Sequence, residues 1–510
     1  METKPLVGGE RALVTVALAL ATFMQVLDTS IANVAVPTLS GNLGVSSSQG
    51  TWVITSFAVS NAIAVPLTGW LARRFGEVRL FTWAILLFTL ASWACGLSVS
   101  LPMLIAFRVI QGAVAGPMIP LSQSLLLGIY PEEKKGTALA LWSMTTLVAP
   151  ICGPILGGWI TDNISWPWIF YINVPVGLFC AFITWQRLRS HETKTVKQPI
   201  DGVGLALLVI GVSCLQVLLD KGEELDWFHS NAIVALAVVS AIALTVLVVW
   251  ELTDPHPIVD LRLLSQRNFA AGAISISMGY MVYFGSVVIL PLWLQTQQGY
   301  TATWAGLATA PTGVLAVLLS PWVGRNLGRY DVRHLATFSF VVFALCCFWR
   351  AGFNTAVSVG GIAMPQLVQG IGAAFFFVPL VSITLSGIAP DKIASASGLS
   401  NFLRILAGSF GASLSQTLWN RRETFHHSQL TEQISAFSPL ARQGLDQIQS
   451  LGVGTAQGYG TIERLVTNQA YMLSTNDVFW LAGWIFMALI PLVWLARPLP
   501  MQRGVVVAAD

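Results

Sequence analysis

The stretch LVTVALALATFMQVLDTSIANVAV, from Leu13 to Val36, decides how this chain is read. It is apolar enough to cross a bilayer, which takes about 20 residues of helix. It also carries one acid, Asp28, toward its far end. A carboxylate at such a depth costs about 2.5–3.5 kcal/mol on insertion scales, and intramembrane acids mark ion or substrate paths. No other span places an Asp or Glu so deeply. The run is too long for a signal-peptide core of about 7–15 residues, so it reads as an uncleaved first span.

The rest of the chain follows the same pattern. Of its 510 residues, 55% are hydrophobic and only 10% charged, with mean hydropathy +0.69. Soluble domains carry roughly 25% charged residues, so most of this chain faces lipid or other apolar helices. Fourteen runs are long enough to span: 13–36, 51–71, 79–99, 102–127, 137–160, 168–188, 202–220, 231–251, 269–296, 301–323, 334–353, 359–386, 392–418 and 477–497. Nineteen of the 27 Lys and Arg residues fall in the loops of one side and only Lys221 in the short loops of the other. By the positive-inside rule both termini are then cytoplasmic.

The chain resembles itself at an offset of about 258 residues, the mark of a duplicated transporter fold. Arg108-Val-Ile-Gln111-Gly112 aligns with Gln366-Leu-Val-Gln369-Gly370, Gly153 with Gly411, and the turn after span 2 with the turn after span 10. The expected architecture is an all-α membrane protein of two six-helix halves, 1–200 and 261–510. A two-helix insert, 201–260, lies between them, and a polar loop, 419–476, lies on the outer side. The duplication is asymmetric: Asp28 falls on Ser286 and Arg108 on Gln366, so the charged pair belongs to the first half alone.

Asp28 and Arg108 lie at similar depth, about eight and about six residues inside the outer ends of their spans. They are the candidate proton-coupling pair; a fixed ion pair bracing two helices is the bland alternative. Ala21, Gln25, Asp28 and Ala32 share one small, polar helix face. Gln25, Asn33, Gln111 and Arg404 are the candidate cavity residues. Arg350 is read as snorkelling to the outer surface. In span 5, Pro150, Gly153, Pro154, Gly157 and Gly158 combine two missing backbone bonds with sites of close helix approach, as a gating segment or as plain small-residue packing. Glu77 is placed to latch helix ends with Arg74 or Arg79. The outer loop, with amphipathic pieces at 440–451 and 461–473, is a candidate cover or docking element. There is no phosphate-cradling loop, so the driving energy is expected from a proton gradient with no cofactor. The six cysteines read as small buried hydrophobes, and the six histidines, His426-His427 included, as surface residues; no metal site is expected. No basic block suggests nucleic acid.

With these residues in hand, the chain resembles the major facilitator superfamily, specifically the fourteen-helix drug:proton antiporters and, among them, the EmrB-type exporters of Gram-negative inner membranes. Leu27 through Pro37 looks like that family's first-helix motif. Arg108 with Gln111-Gly112 looks like its fourth-helix motif, and Gly153-Pro154-Ile155-Leu156-Gly157-Gly158 like its antiporter motif. Trp166 through Gly177 is similar to the signature opening helix 6. The chain departs from the pattern at Arg73 where an Asp is usual, at Glu77-Val78 where a basic pair is usual, at Ala149 for a Gly, and at Pro167 for an Arg. The resemblance implies proton-coupled export of hydrophobic drugs across the inner membrane. It also implies two partners, a periplasmic membrane-fusion adaptor and a TolC-type outer-membrane channel. A specific exporter of a metabolite, lipid or siderophore, and a non-transporting sensor or scaffold, are the alternative readings.

Overall fold

The computed structural model describes residues 6 and 8–498, apart from 197–198, 256, 433, 435–437 and 451–453. The chain folds as two six-helix halves with an inserted helix pair, and every regular element among the described residues is helical. Span 1 is Gly8–Leu43, span 3 Glu77–Gly96, span 5 Lys135–Asn163, span 7 Gly202–Lys221 and span 8 Asn231–Thr253. Span 9 is Arg267–Thr296, span 11 Val332–Arg350 and span 12 Val359–Leu385. Four spans are interrupted: span 2 (Trp52–Ala64, Thr68–Phe75), span 4 (Leu101–Ala115, Met118–Ile129), span 6 (Trp168–Tyr171, Asn173–Leu188) and span 10 (Ala302–Thr309, Pro311–Asn326). Spans 2, 4 and 10 break at Pro66, Pro117 and Pro311, where a ring replaces a backbone donor. Span 2 bends by 61° at its break.

Eleven of these helices qualify as membrane spans on length and apolarity alone, and the two bent pairs, span 2 and span 5, bring the number to thirteen. The fourteenth is the first part of Ile393–Glu432, span 13. Its serines and Arg404 lower its hydropathy, yet it packs along span 9 and along span 14, Thr455–Trp494. Spans 8 and 3 turn Val238, Ile242, Val249, Trp83 and Leu90 outward, as lipid-facing helices must.

The polar loop expected at 419–476 is corrected by the structure. Span 13 continues as helix to Glu432, span 14 begins at Thr455 and runs to Trp494, and a short helix, Pro439–Ser450, lies between them. The two long helices staple one another beyond the apolar zone. Trp419 Nε1 donates to Thr475 Oγ1 at 2.8 Å, Arg422 pairs with Asp477 at 2.6 Å, and His426 and His427 meet Asp477 and Glu463. Polarity there reports helix partners rather than irregular backbone.

The halves meet tightly on the face that carries the first and last described residues. A Cβ on Gly69 would strike Ser395, and Gly136 and Gly324 each lie against the other's carbonyl oxygen. Arg73 Nη1 donates to Ser395 Oγ at 3.2 Å. The inserted pair straps one seam between the halves. Lys221 reaches Thr51 at 3.2 Å in the first half, while Trp227 Nε1 reaches Thr417 at 3.1 Å and Glu223 accepts from Asn420 at 3.0 Å in the second.

Candidate functional site

Span 1 carries Asp28 into the interior of the first half, where it is 2% exposed. Arg108, fully buried, donates from Nη1 to Asp28 Oδ2 at 2.6 Å. Its Nε donates to the Val53 carbonyl at 3.1 Å, and its guanidinium lies 4.3 Å from the Phe57 ring centroid. Gln111, one helical turn along from Arg108, gives its oxygen to Arg108 at 2.7 Å and its NH2 to Asp28 Oδ1 at 3.1 Å. Charge-assisted bonds of this kind are among the strongest a protein makes, and burial sharpens them.

The fourth member is Asn173, which lies within the Trp166–Gly177 signature but is not among the candidate site residues. Its Nδ2 donates to Asp28 Oδ1 at 2.8 Å and to Ser92 Oγ at 3.0 Å. The signal was an amide at the start of an otherwise apolar helix, just after the break at Ile172 in span 6. The packing of span 6 along span 1 brings that amide beside Asp28.

The other candidates scatter. Gln25 is buried on the same face of span 1, and its side-chain oxygen accepts no bond. Asn33 is exposed, about 140° around the helix from Asp28 at 3.6 residues per turn, and does not join the cluster. Arg404 lies in the second half, between the halves rather than beside Asp28. Span 5 bends by 43° between its Lys135–Pro150 and Ile155–Thr161 parts. Gly153 leaves room for Ser30, whose hydroxyl donates to the Pro150 carbonyl at 3.1 Å, and Gly157 faces the backbone of Ile31. Gly158 turns toward Thr303 of span 10. The side chain of Pro154 lies outside the described ones. Span 5 thus rests on span 1 within two turns of Asp28.

Two expectations are corrected. Arg350 does not reach the surface: it is 1% exposed, with Nη2 donating to Gln366 Oε1 at 2.8 Å and to Gln369 Oε1. Side chains on a helix tilt toward its N-terminus, so an arginine at the far end of span 11 points back into the bundle. Glu77 latches neither Arg74 nor Arg79; it is buried and accepts from Ser124 Oγ at 2.8 Å. The neighbouring helix start is capped instead by Glu192, which accepts from Val78 and Arg79 N–H at 3.0 and 2.9 Å. In the second half the matching turn is capped by Asp331, whose carboxyl the Arg333 guanidinium holds below its ordinary range.

Comparison with known proteins agrees with this architecture. The family model described as Major Facilitator Superfamily matches residues 18–412. The chain is 57% identical over 498 residues to the multidrug export protein EmrB of Escherichia coli, covering 98% of this chain and 97% of that one. It is 50% identical over 504 residues to the fatty acid resistance protein FarB of Neisseria gonorrhoeae, covering 99% of each. Among solved structures, a peptide transporter with 14% identity superposes with a TM-score of 0.60, over 97% of this chain and 98% of that one. That last likeness concerns the fold alone.

Proposed function

The chain belongs to the major facilitator superfamily and is a multi-pass membrane transporter, and from that premise we propose that it exports hydrophobic toxic compounds in exchange for protons. The observation that carries the reading is the buried Asp28–Arg108 pair at 2.6 Å, in a half whose twin has no acid at the matching place. A proton arriving at Asp28 cancels the pair and frees Arg108 to rearrange with Gln111 and Asn173. Loss of that proton on the other side restores it. Span 5, bent and resting on span 1 through Gly153 and Gly157, is positioned to convert this local change into a shift between the halves. Export as the direction, and many compounds as the cargo, draw support from the 57% identical multidrug export protein.

In this reading the membrane is the bacterial inner membrane, both termini are cytoplasmic and no cofactor is used. A membrane potential of 100 mV contributes about 2.3 kcal/mol per charge moved inward. The paired helical extensions of spans 13 and 14, with Pro439–Ser450, face a periplasmic adaptor that hands cargo to a TolC-type outer channel. The deciding experiment follows substrate-driven proton release in proteoliposomes. Wild type releases protons when a hydrophobic drug is added and Asp28→Asn does not; equal release from both removes Asp28 from the coupling.

A further inference from the structure

Glu251 lies near the end of span 8, on the side of the molecule that carries both termini, and is fully buried. Its Oε2 accepts from the Val259 N–H at 3.1 Å, while its Oε1 has no hydrogen-bond partner. No cation pairs with it among the described residues. A carboxylate taken out of water without a counter-charge is costly, and such a group keeps its proton instead.

Facing it is Asp201, the residue before span 7. Asp201 Oδ1 accepts from the N–H groups of Val203 and Gly204 at 3.1 and 2.9 Å, capping the helix, and its Oδ2 accepts from Trp250 Nε1 at 2.9 Å. A Cβ on Gly204 would strike Asp201 Oδ2 and crowd Glu251 Oε1, so the two acids close on one glycine. Three donors and the positive end of span 7 favour charge on Asp201, whereas Glu251 has one donor and an orphaned oxygen. The other charged groups around the pair do not offset it. Asp201 and Asp254 both repel a charge on Glu251. Arg262 turns its Nη2 to the carbonyls of Leu252 and Asp254 at 3.2 and 2.9 Å, and Lys392 pairs with Asp260 at 3.5 Å.

We infer that Glu251 is a proton-binding site separate from Asp28, its neutral carboxyl facing ionised Asp201 and clasping the inserted pair to the second half. Val259, which Glu251 holds, lies on the connection from span 8 to span 9. Ile258, Val259 and Leu263 of that connection are buried in one cluster with Phe269 of span 9 and Leu399 of span 13. Loss of the proton to water sets two negative charges face to face at the base of the insert and loosens that joint. The inference goes beyond the transport reading and does not depend on it, because neither Asp28 nor any cargo takes part.

The test uses the full-length protein in nanodiscs, followed by infrared difference spectra between pH 6 and pH 9 and by thermal unfolding over the same range. Wild type shows the carbonyl stretch of a protonated carboxylic acid at pH 6, replaced by carboxylate bands at pH 9. Glu251→Gln loses that change and Asp28→Asn keeps it. Wild type unfolds a few degrees lower at pH 9 than at pH 6, and Glu251→Gln much less so. The folded chain holds a proton that the unfolded chain has already released, so stability is lost as pH rises. Asp201→Asn keeps a helix cap but removes the facing charge, so the acid band disappears about one pH unit earlier as pH is raised. Identical difference spectra from wild type and Glu251→Gln overturn the inference, as does a band that Asp201→Asn leaves unmoved. Stability that follows sodium or potassium chloride, replaced by N-methylglucamine chloride at constant ionic strength, and not pH overturns it too, because a metal cation then bridges the acids. Should Glu251→Gln fail to fold, wild type against Asp201→Asn decides alone.

Discussion

Both halves of the molecule bury an arginine beside a glutamine, but they neutralise it differently. In the first half Arg108 comes from span 4 and meets Asp28, Gln111 and the Val53 carbonyl. In the second half Arg350 comes from span 11 and meets Gln366 and Gln369. Gln366 and Gln369 hold the places that Arg108 and Gln111 hold in the repeat. Ser286 stands where Asp28 would, and its hydroxyl turns back to the Val282 carbonyl at 3.0 Å. The guanidinium is kept while the carboxylate is not, and it is delivered from a neighbouring helix. Fold stability is served by either arrangement. Only the first holds a carboxylate, and under the proposed reading that difference ties coupling to one half.

The comparison is broken most directly at Asp28. Asp28→Asn is expected to abolish substrate-driven proton release, measured with a pH-sensitive dye in proteoliposomes, while Arg350→Gln leaves that release in place. Next in size is Arg108→Gln, which strands a buried carboxylate. It is expected to destabilise the detergent-solubilised protein by about 3–5 kcal/mol, read from thermal unfolding. The double variant Asp28→Asn with Arg108→Gln leaves no buried charge, and it should unfold at a higher temperature than Arg108→Gln alone. Asn173→Ala removes one bond to an ionised group, worth about 1.5–3 kcal/mol, and should slow proton release without ending it. The smallest effect belongs to Arg350→Gln. Its partners are neutral amides, so its loss strands no charge and costs about 1–3 kcal/mol. If Arg350→Gln proves as destabilising as Arg108→Gln, the two arginines are equivalent braces and the distinction between the halves fails.

Much of this arrangement was legible before any coordinates. The depth of Asp28, the matching depth of Arg108, and the absence of a twin pair all follow from run lengths and the repeat. Gln111 was visible as the residue one turn from Arg108. Asn173 was not, because its approach depends on how span 6 packs against span 1, which no local pattern reports. Arg350 was misplaced because distance from the end of a helix does not say which way the side chain leans. The 419–476 segment looked like a loop because its residues are polar, and helix pairing outside the membrane needs no apolar run.

Sequence by itself determined the number of spans, the shared side of the termini, the duplication and the single deep acid. These are local quantities: hydrocarbon thickness sets how long an apolar run must be, and each buried charge carries its cost wherever the chain goes. Only the tertiary structure decided who meets whom. The rotation of each helix about its axis aims Arg108 at Asp28, turns Arg350 inward and leaves Arg404 among three rings. Those angles are set by packing between segments far apart in the chain, where one turn of misalignment moves a side chain by a whole helix face.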